Sequence, residues 1–218
     1  MAVQQVDPQE FVASVQPMLE AQNPAALLEL LKSRWTREQI KQLLSCQCAD
    51  ARKVAALALA LVGGRCCLTD LTAQLKHTDP MVNQMAEHAI WSIWFRLGSI
   101  EANHDLCRGT QALNRGDYDR ALCHFTRTID LDPNFAEAYN QRAIVKYLQE
   151  RYDESLADCR RTVELMPCHF GAWSGMGHCH AHLGRLNEAQ QCYEKALAIN
   201  PGLTGIRQAV NELDRRAR

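Results

Sequence analysis

Apolar residues recur at helical spacing along almost the whole chain. Phe11, Val12, Val15, Met18 and Leu19 share one face of a first segment, and Leu27, Leu28, Leu30 and Leu31 follow in a second. Each segment opens with a start signal. Asp7-Pro8-Gln9-Glu10 pairs an acceptor side chain with a proline at the first helical position, Asn23-Pro24 repeats the device, and Thr36-Arg37-Glu38-Gln39 is a capping box ahead of Ile40, Leu43 and Leu44. A longer period then appears. Ile40, Leu44, Ala51, Val54, Ala55, Ala58 and Leu59 recur 31 residues later as Leu71, Leu75, Val82, Met85, Ala86, Ala89 and Ile90, with Asp79-Pro80 as another capped start. The pattern predicts antiparallel helix pairs, a short first helix and an alanine-rich second.

A stricter period governs the second half. Asp132-Pro133, Met166-Pro167 and Asn200-Pro201 close three units whose prolines stand 34 residues apart. In the same register fall Gly109, Ala143 and Gly177, then Ala121, Ser155 and Ala189, then Phe125, Cys159 and Tyr193. Each unit reads as two amphipathic helices around a tight turn, such as Arg115-Gly116-Asp117-Tyr118 or Leu183-Gly184-Arg185-Leu186. The small residues let one helix backbone approach its partner, and the aromatics fill the space beside them. Proline ends each second helix, because the residue before it is pushed out of the α region. A unit of this size cannot bury its apolar stripe alone, so the units are expected to stack. After Pro201, Ile206, Val210 and Leu213 keep helical spacing and Asp214-Arg215-Arg216-Ala217-Arg218 turns charge outward, which predicts a capping helix over 204–218.

The 34-residue period with its small, aromatic and proline positions resembles the tetratricopeptide repeat, and the weaker N-terminal period is similar to HEAT-like repeats. The resemblance implies an all-α fold, a right-handed α-solenoid of stacked antiparallel helix pairs. HEAT-like repeats over 1–98 precede a tetratricopeptide domain over 99–218, with repeats at about 102–135, 136–169 and 170–203. The chain departs from the pattern at Ser155, at Cys159 and, in the first unit, at Asp105 and Arg108, which points to looser packing where the array begins. Gly98-Ser99-Ile100-Glu101 is too short for a free linker, so Trp91, Ile93, Trp94 and Phe95 are expected to pack on the first tetratricopeptide helix.

Composition narrows the function. Lys and Arg number 24 and Asp and Glu 25, with no basic run, which argues against nucleic acid. Met1 to Glu10 lacks the order of a signal peptide, and the longest apolar run, Val54 to Val62, is shorter than the roughly 20 residues of a spanning helix. A cytoplasmic protein without membrane contact is expected. The ten cysteines then read as small buried apolar residues rather than disulfides, including Cys107, Cys123, Cys159, Cys179 and Cys192 on repeat helices.

Candidate chemistry is sparse. Gly171-Ala172-Trp173-Ser174-Gly175-Met176-Gly177 has neither the preceding strand nor the following Lys-Ser of a phosphate loop, nor the spacing of a nucleophile elbow. His178 and His182 share a helical face and form a weak candidate metal pair, short of the four ligands a stable site wants. Cys46 and Cys48 cannot join Cys66 and Cys67 around one zinc, because a helix between them rises about 20 Å whereas zinc holds sulfur at about 2.3 Å. No catalytic residue and no cofactor is called for, and the chain reads as a non-enzymatic scaffold or adaptor.

The resemblance implies that the first helices of the units line a concave groove for a peptide or helix of a partner. Its residues would be Asn103, Leu106, Thr110 and Asn114; then Asn140, Ile144, Tyr147 and Leu148; then Ser174, His178 and His182. Two other readings stand beside it: a metal- or redox-responsive module using His178, His182 and nearby thiols, and a groove filled by the chain's own tail or by a second copy in a homo-oligomer. Co-chaperone members of the family clamp a partner's terminal carboxylate with two lysines, two asparagines and an arginine. Leu106, Thr110, Gln141, Gly171 and Gly175 stand there in this chain, so the acidic C-terminal tails of heat-shock chaperones are expected to be excluded.

Overall fold

The structure is a computed structural model that describes residues 5–216; the first four residues of the N-terminal stretch and Ala217 and Arg218 of the basic terminus lie outside the described residues. Among those residues the secondary structure is helical, with no strand. Two compact units divide between Ile93 and Trp94.

The first unit holds α1 (Pro8–Glu20), α2 (Pro24–Arg34), α3 (Arg37–Leu43), α4 (Ala49–Val62), a 3₁₀ turn (Arg65–Cys67), α5 (Leu68–Gln74) and α6 (Pro80–Trp94), whose last residue begins the second unit. The start signals act as expected. Asp7 accepts from the Gln9 amide at 3.0 Å, Asn23 from Ala26 at 3.0 Å, and Asp79 from Met81 at 2.9 Å. Thr36 and Gln39 close a reciprocal capping box, the Gln39 amide donating to Thr36 Oγ1 at 3.3 Å and the Thr36 amide to Gln39 Oε1 at 2.8 Å. The 31-residue period is a burial period: Ile40, Leu44, Ala51, Ala55, Ala58 and Leu59 are buried, and so are their counterparts Leu71, Leu75, Val82, Ala86, Ala89 and Ile90. Val54 and Met85, also in register, are both half-buried.

The second unit continues with α7 (Ile100–Asn114), α8 (Tyr118–Leu131), α9 (Ala136–Leu148), α10 (Tyr152–Leu165), α11 (Phe170–His182), α12 (Leu186–Ile199) and α13 (Thr204–Arg216). The pairs α7/α8, α9/α10 and α11/α12 form hairpins, neighbouring hairpins pack on one another, and α13 covers α12. A Cβ on Gly109 would lie 2.5 Å from the Phe125 ring, and one on Gly177 2.3 Å from the Tyr193 ring. In the middle hairpin the aromatic shrinks to Cys159 and the small residue grows to Ala143, both in one buried cluster. The hairpin turns need left-handed backbone, and Gly116 (φ +74°) and Gly184 (φ +72°) supply it, while Glu150 adopts φ +60° in the second turn.

Four expectations need correction. Asp105 does not loosen the first hairpin: it is 3% exposed and its carboxylate holds His124 Nδ1 at 3.2 Å and Arg127 Nε at 3.0 Å. Ser155 is likewise satisfied, its hydroxyl donating to the Ala143 carbonyl at 2.8 Å and accepting from Cys179 Sγ at 3.3 Å. Cys107 and Cys123 are exposed; Cys159, Cys179 and Cys192 are buried. Phe95 packs into the cluster of α7 and α8, whereas Trp94 stacks on His169 at a ring distance of 3.9 Å and lies tilted against Phe170 at 5.0 Å, near the start of α11.

Candidate functional site

The first helices of the three hairpins, α7, α9 and α11, are neighbours in the stack. They carry every residue predicted for the groove, but not at equal depth. Leu106 is buried in the first hairpin's core, and Asn140 is 3% exposed. Asn103 is half-buried, its amide donating to the Gly98 carbonyl at 2.7 Å. Thr110 and Ser174 return their hydroxyls to Leu106 and Phe170 carbonyls one turn back, at 2.9 and 2.8 Å. Asn114 is exposed. Of the predicted groove residues, the exposed aliphatics lie on α9, where Ile144 is 38% and Leu148 47% exposed.

Beside that surface sits a cluster of phenols and imidazoles. Tyr147 bonds His182 Nε2 at 2.9 Å, and Tyr152 stacks on the His182 ring at 4.8 Å. One turn earlier on α11, Tyr193 bonds His178 Nδ1 at 2.9 Å. Burial holds His178 below the usual histidine range, helped by the neighbouring His182 charge, and burial pushes the Tyr193 phenol up to about 12. The bond therefore joins a phenol that keeps its proton to a neutral ring, with Tyr193 donating. Each histidine thus has one ring nitrogen engaged by a tyrosine. Among the described residues no three His, Cys, Asp or Glu side chains converge as metal ligands.

His180, between them in sequence, points elsewhere and is 7% exposed, with burial lowering its pKa. It lines an open cavity of about 610 Å³ between α10, α11 and α12, together with Trp173 and Lys195, whose ammonium lies 4.4 Å over the Trp173 ring.

A third cluster was not foreseen. Glu137 and His169, both with fully buried side chains, meet at 2.8 Å, and Trp94 lies flat on the imidazole. Asn140 and Gln141 donate to the same carboxylate at 3.2 and 2.6 Å. His169 Nδ1 accepts from the Ala172 amide at 3.0 Å and so caps α11, which leaves the proton on Nε2 for Glu137. The pair resembles a base and its orienting carboxylate, yet both ring nitrogens are in use and neither group reaches solvent, so the arrangement serves structure. In the sequence the only signal was a histidine at the last position before a helix.

Comparison with known proteins places these features in context. Models of the tetratricopeptide repeat match residues 108–167 and 171–203. The Hsp70-Hsp90 organizing protein of Triticum aestivum is 31% identical over 116 residues, 53% of this chain and 20% of that protein. The chain thus spans about a fifth of that relative's length. Among solved structures, the first tetratricopeptide domain of Spaghetti (RPAP3), bound to the HSP90 peptide SRMEEVD, superposes with a TM-score of 0.53 at 23% identity, over 54% of this chain and 93% of that one. The second such domain of human RPAP3, in complex with the HSP70 peptide SGPTIEEVD, gives 0.51 at 28% identity, over 53% and 96%.

These neighbours overturn the expectation that a chaperone's terminal carboxylate is excluded. Domains of this fold hold such peptides, and the exclusion rested on five positions, Leu106, Thr110, Gln141, Gly171 and Gly175. The peptides held by those domains are seven and nine residues long, and a terminal carboxylate is only one end of them. Affinity in such a complex is concentrated in contacts that only the bound geometry reveals, so missing charges at one end do not decide it.

Proposed function

Because residues 108–167 and 171–203 are tetratricopeptide repeats, we propose that the second unit is a non-enzymatic adaptor whose first-helix face holds a peptide or helix of a partner protein. The observation that carries the reading is the pair Ile144 and Leu148, two exposed aliphatics one turn apart on α9. The aromatic and imidazole edges of Tyr147 and His182 flank them. Such a surface suits an apolar side chain in the ligand, with the rings offering hydrogen bonds at its rim. Chaperone C-terminal tails belong to the peptides it is proposed to take, and SRMEEVD offers a methionine for the apolar seat.

Calorimetry of the full chain with SRMEEVD tests the face directly, and a photo-crosslinking residue at position 148, used in native lysate, tests it without assuming the ligand. The peptide should bind in the micromolar range, and Ile144→Ala with Leu148→Ala should weaken it about tenfold, the loss of roughly 1.4 kcal/mol. Crosslinks from position 148 should map to a segment of another protein. Binding indifferent to the double substitution, or crosslinks only to a second copy of this chain, would refute the assignment.

A further inference from the structure

We propose that the first tetratricopeptide hairpin carries a binding site for a phosphorylated serine or threonine of a partner segment, separate from the peptide face. The site is a pocket of about 380 Å³ where the C-terminal half of α7 meets the start of α8, lined by Arg108, Gln111, Arg115, Asp117, Arg120 and His124.

Its charge is unbalanced. Three guanidiniums face one carboxylate, and that carboxylate is already engaged: Asp117 caps α8 by accepting from the Arg120 amide at 3.3 Å and pairs with Arg120 Nε at 3.3 Å. Arg108 and Arg115 form no ion pair among the described residues. In a chain whose net charge is −1, an excess of two positive charges in one small pocket is a local feature.

The next hairpin shows what the same crevice looks like when filled. Thirty-four residues on from Arg108 and His124 stand Arg142 and Asp158, and there the aspartate takes the guanidinium in two bonds of 2.9 and 2.8 Å. In the first hairpin that carboxylate is replaced by His124, whose Nδ1 is turned to the buried Asp105 at 3.2 Å. Arg108 is left without the anion its counterpart has.

The chemistry selects the ligand. A phosphoryl dianion balances the excess charge and presents three acceptor oxygens to planar guanidinium forks, whereas one carboxylate would satisfy one arginine. The lining contains no Phe, Tyr or Trp ring on which a nucleobase would stack, and the His124 ring is held by Asp105; the volume is at the small end for small-molecule sites. A phosphate carried on a peptide side chain fits both facts.

The test uses the full chain, N-acetyl-O-phosphoserine N-methylamide, its unphosphorylated counterpart and inorganic phosphate, read by the ring resonances of His124. The phosphoserine compound should shift them saturably, the unphosphorylated one should not, and inorganic phosphate should bind several-fold more weakly. Arg108→Gln with Arg115→Gln, both at exposed positions, should lower affinity at least tenfold while helical circular dichroism and the melting temperature stay unchanged. The proposal is overturned if no saturable shift occurs, if inorganic phosphate binds as tightly as phosphoserine, or if the double variant keeps its affinity.

Discussion

Gly177 shows how a single hydrogen decides packing. Alanine there would bring a Cβ to 2.3 Å from the Tyr193 ring, closer than real carbon contacts allow. The ring would have to move, and its hydrogen bond to His178 would move with it. Alanine gains about 1 kcal/mol of helix propensity over glycine, but overpacking of this kind costs about 1–3 kcal/mol. Gly177→Ala should therefore lower stability in urea unfolding by up to about 2 kcal/mol. Gly205→Ala is the control: nothing lies within 4 Å of its Cβ, and it should be neutral or stabilising. At the hairpin turns the two glycines were legible from their neighbours in sequence, whereas Glu150 was not. Its left-handed backbone follows from closing the second hairpin in the same register as the others, a demand set by the stack and not by the residue.

Helix α11 carries two imidazoles that point to different sides, His178 toward Tyr193 and His180 into the cavity between α10, α11 and α12. His178 and His180 are both held below the ordinary value of 6.5, burial being the main cause for each. A ring that binds its proton less readily folded than unfolded favours the folded state only while both states are neutral. As pH falls below about 6.5 the unfolded chain takes up protons first, so the stabilisation is fully present above that value and is lost below it. Thermal melts should show a falling midpoint from pH 7 to 5, above the range in which ordinary carboxylates titrate. His178→Gln with His180→Gln should flatten that slope. An unchanged slope would place the proton uptake elsewhere. The helical spacing of His178 and His182 was readable from the sequence, but their partners Tyr147, Tyr152 and Tyr193 come from three other helices, and no local pattern brings them together.

At the scale of the second unit, stability is a sum of hairpins and the surfaces they bury against one another, and the last hairpin depends on α13. Ile206 and Leu213 are buried with Ala189 and Tyr193. Ending the chain after Leu203 removes both aliphatics, each worth about 1.5–3 kcal/mol when fully buried, and exposes α12. Such a chain should unfold about 3–5 kcal/mol more easily, and hydrogen exchange should show α11 and α12 opening before α7 to α10. A uniform loss of protection across all six hairpin helices would mean that the repeats unfold as one block. Among the described residues no helix is long and apolar enough to cross a membrane.

The helices, their caps, the 31- and 34-residue periods and the small-against-large pairing in the first and third hairpins can be read from the chain alone. These depend on the next few residues or on one fixed spacing, so the chain states them directly. Which groove residues reach the surface, how a buried Glu137 finds His169 beneath Trp94, and why Arg108 stands unpaired while Arg142 does not are settled by the folded arrangement. Those outcomes turn on contacts between residues tens of positions apart. A periodic pattern records that helices will stack, but whether each polar side chain meets a partner depends on what stands opposite it in the folded protein.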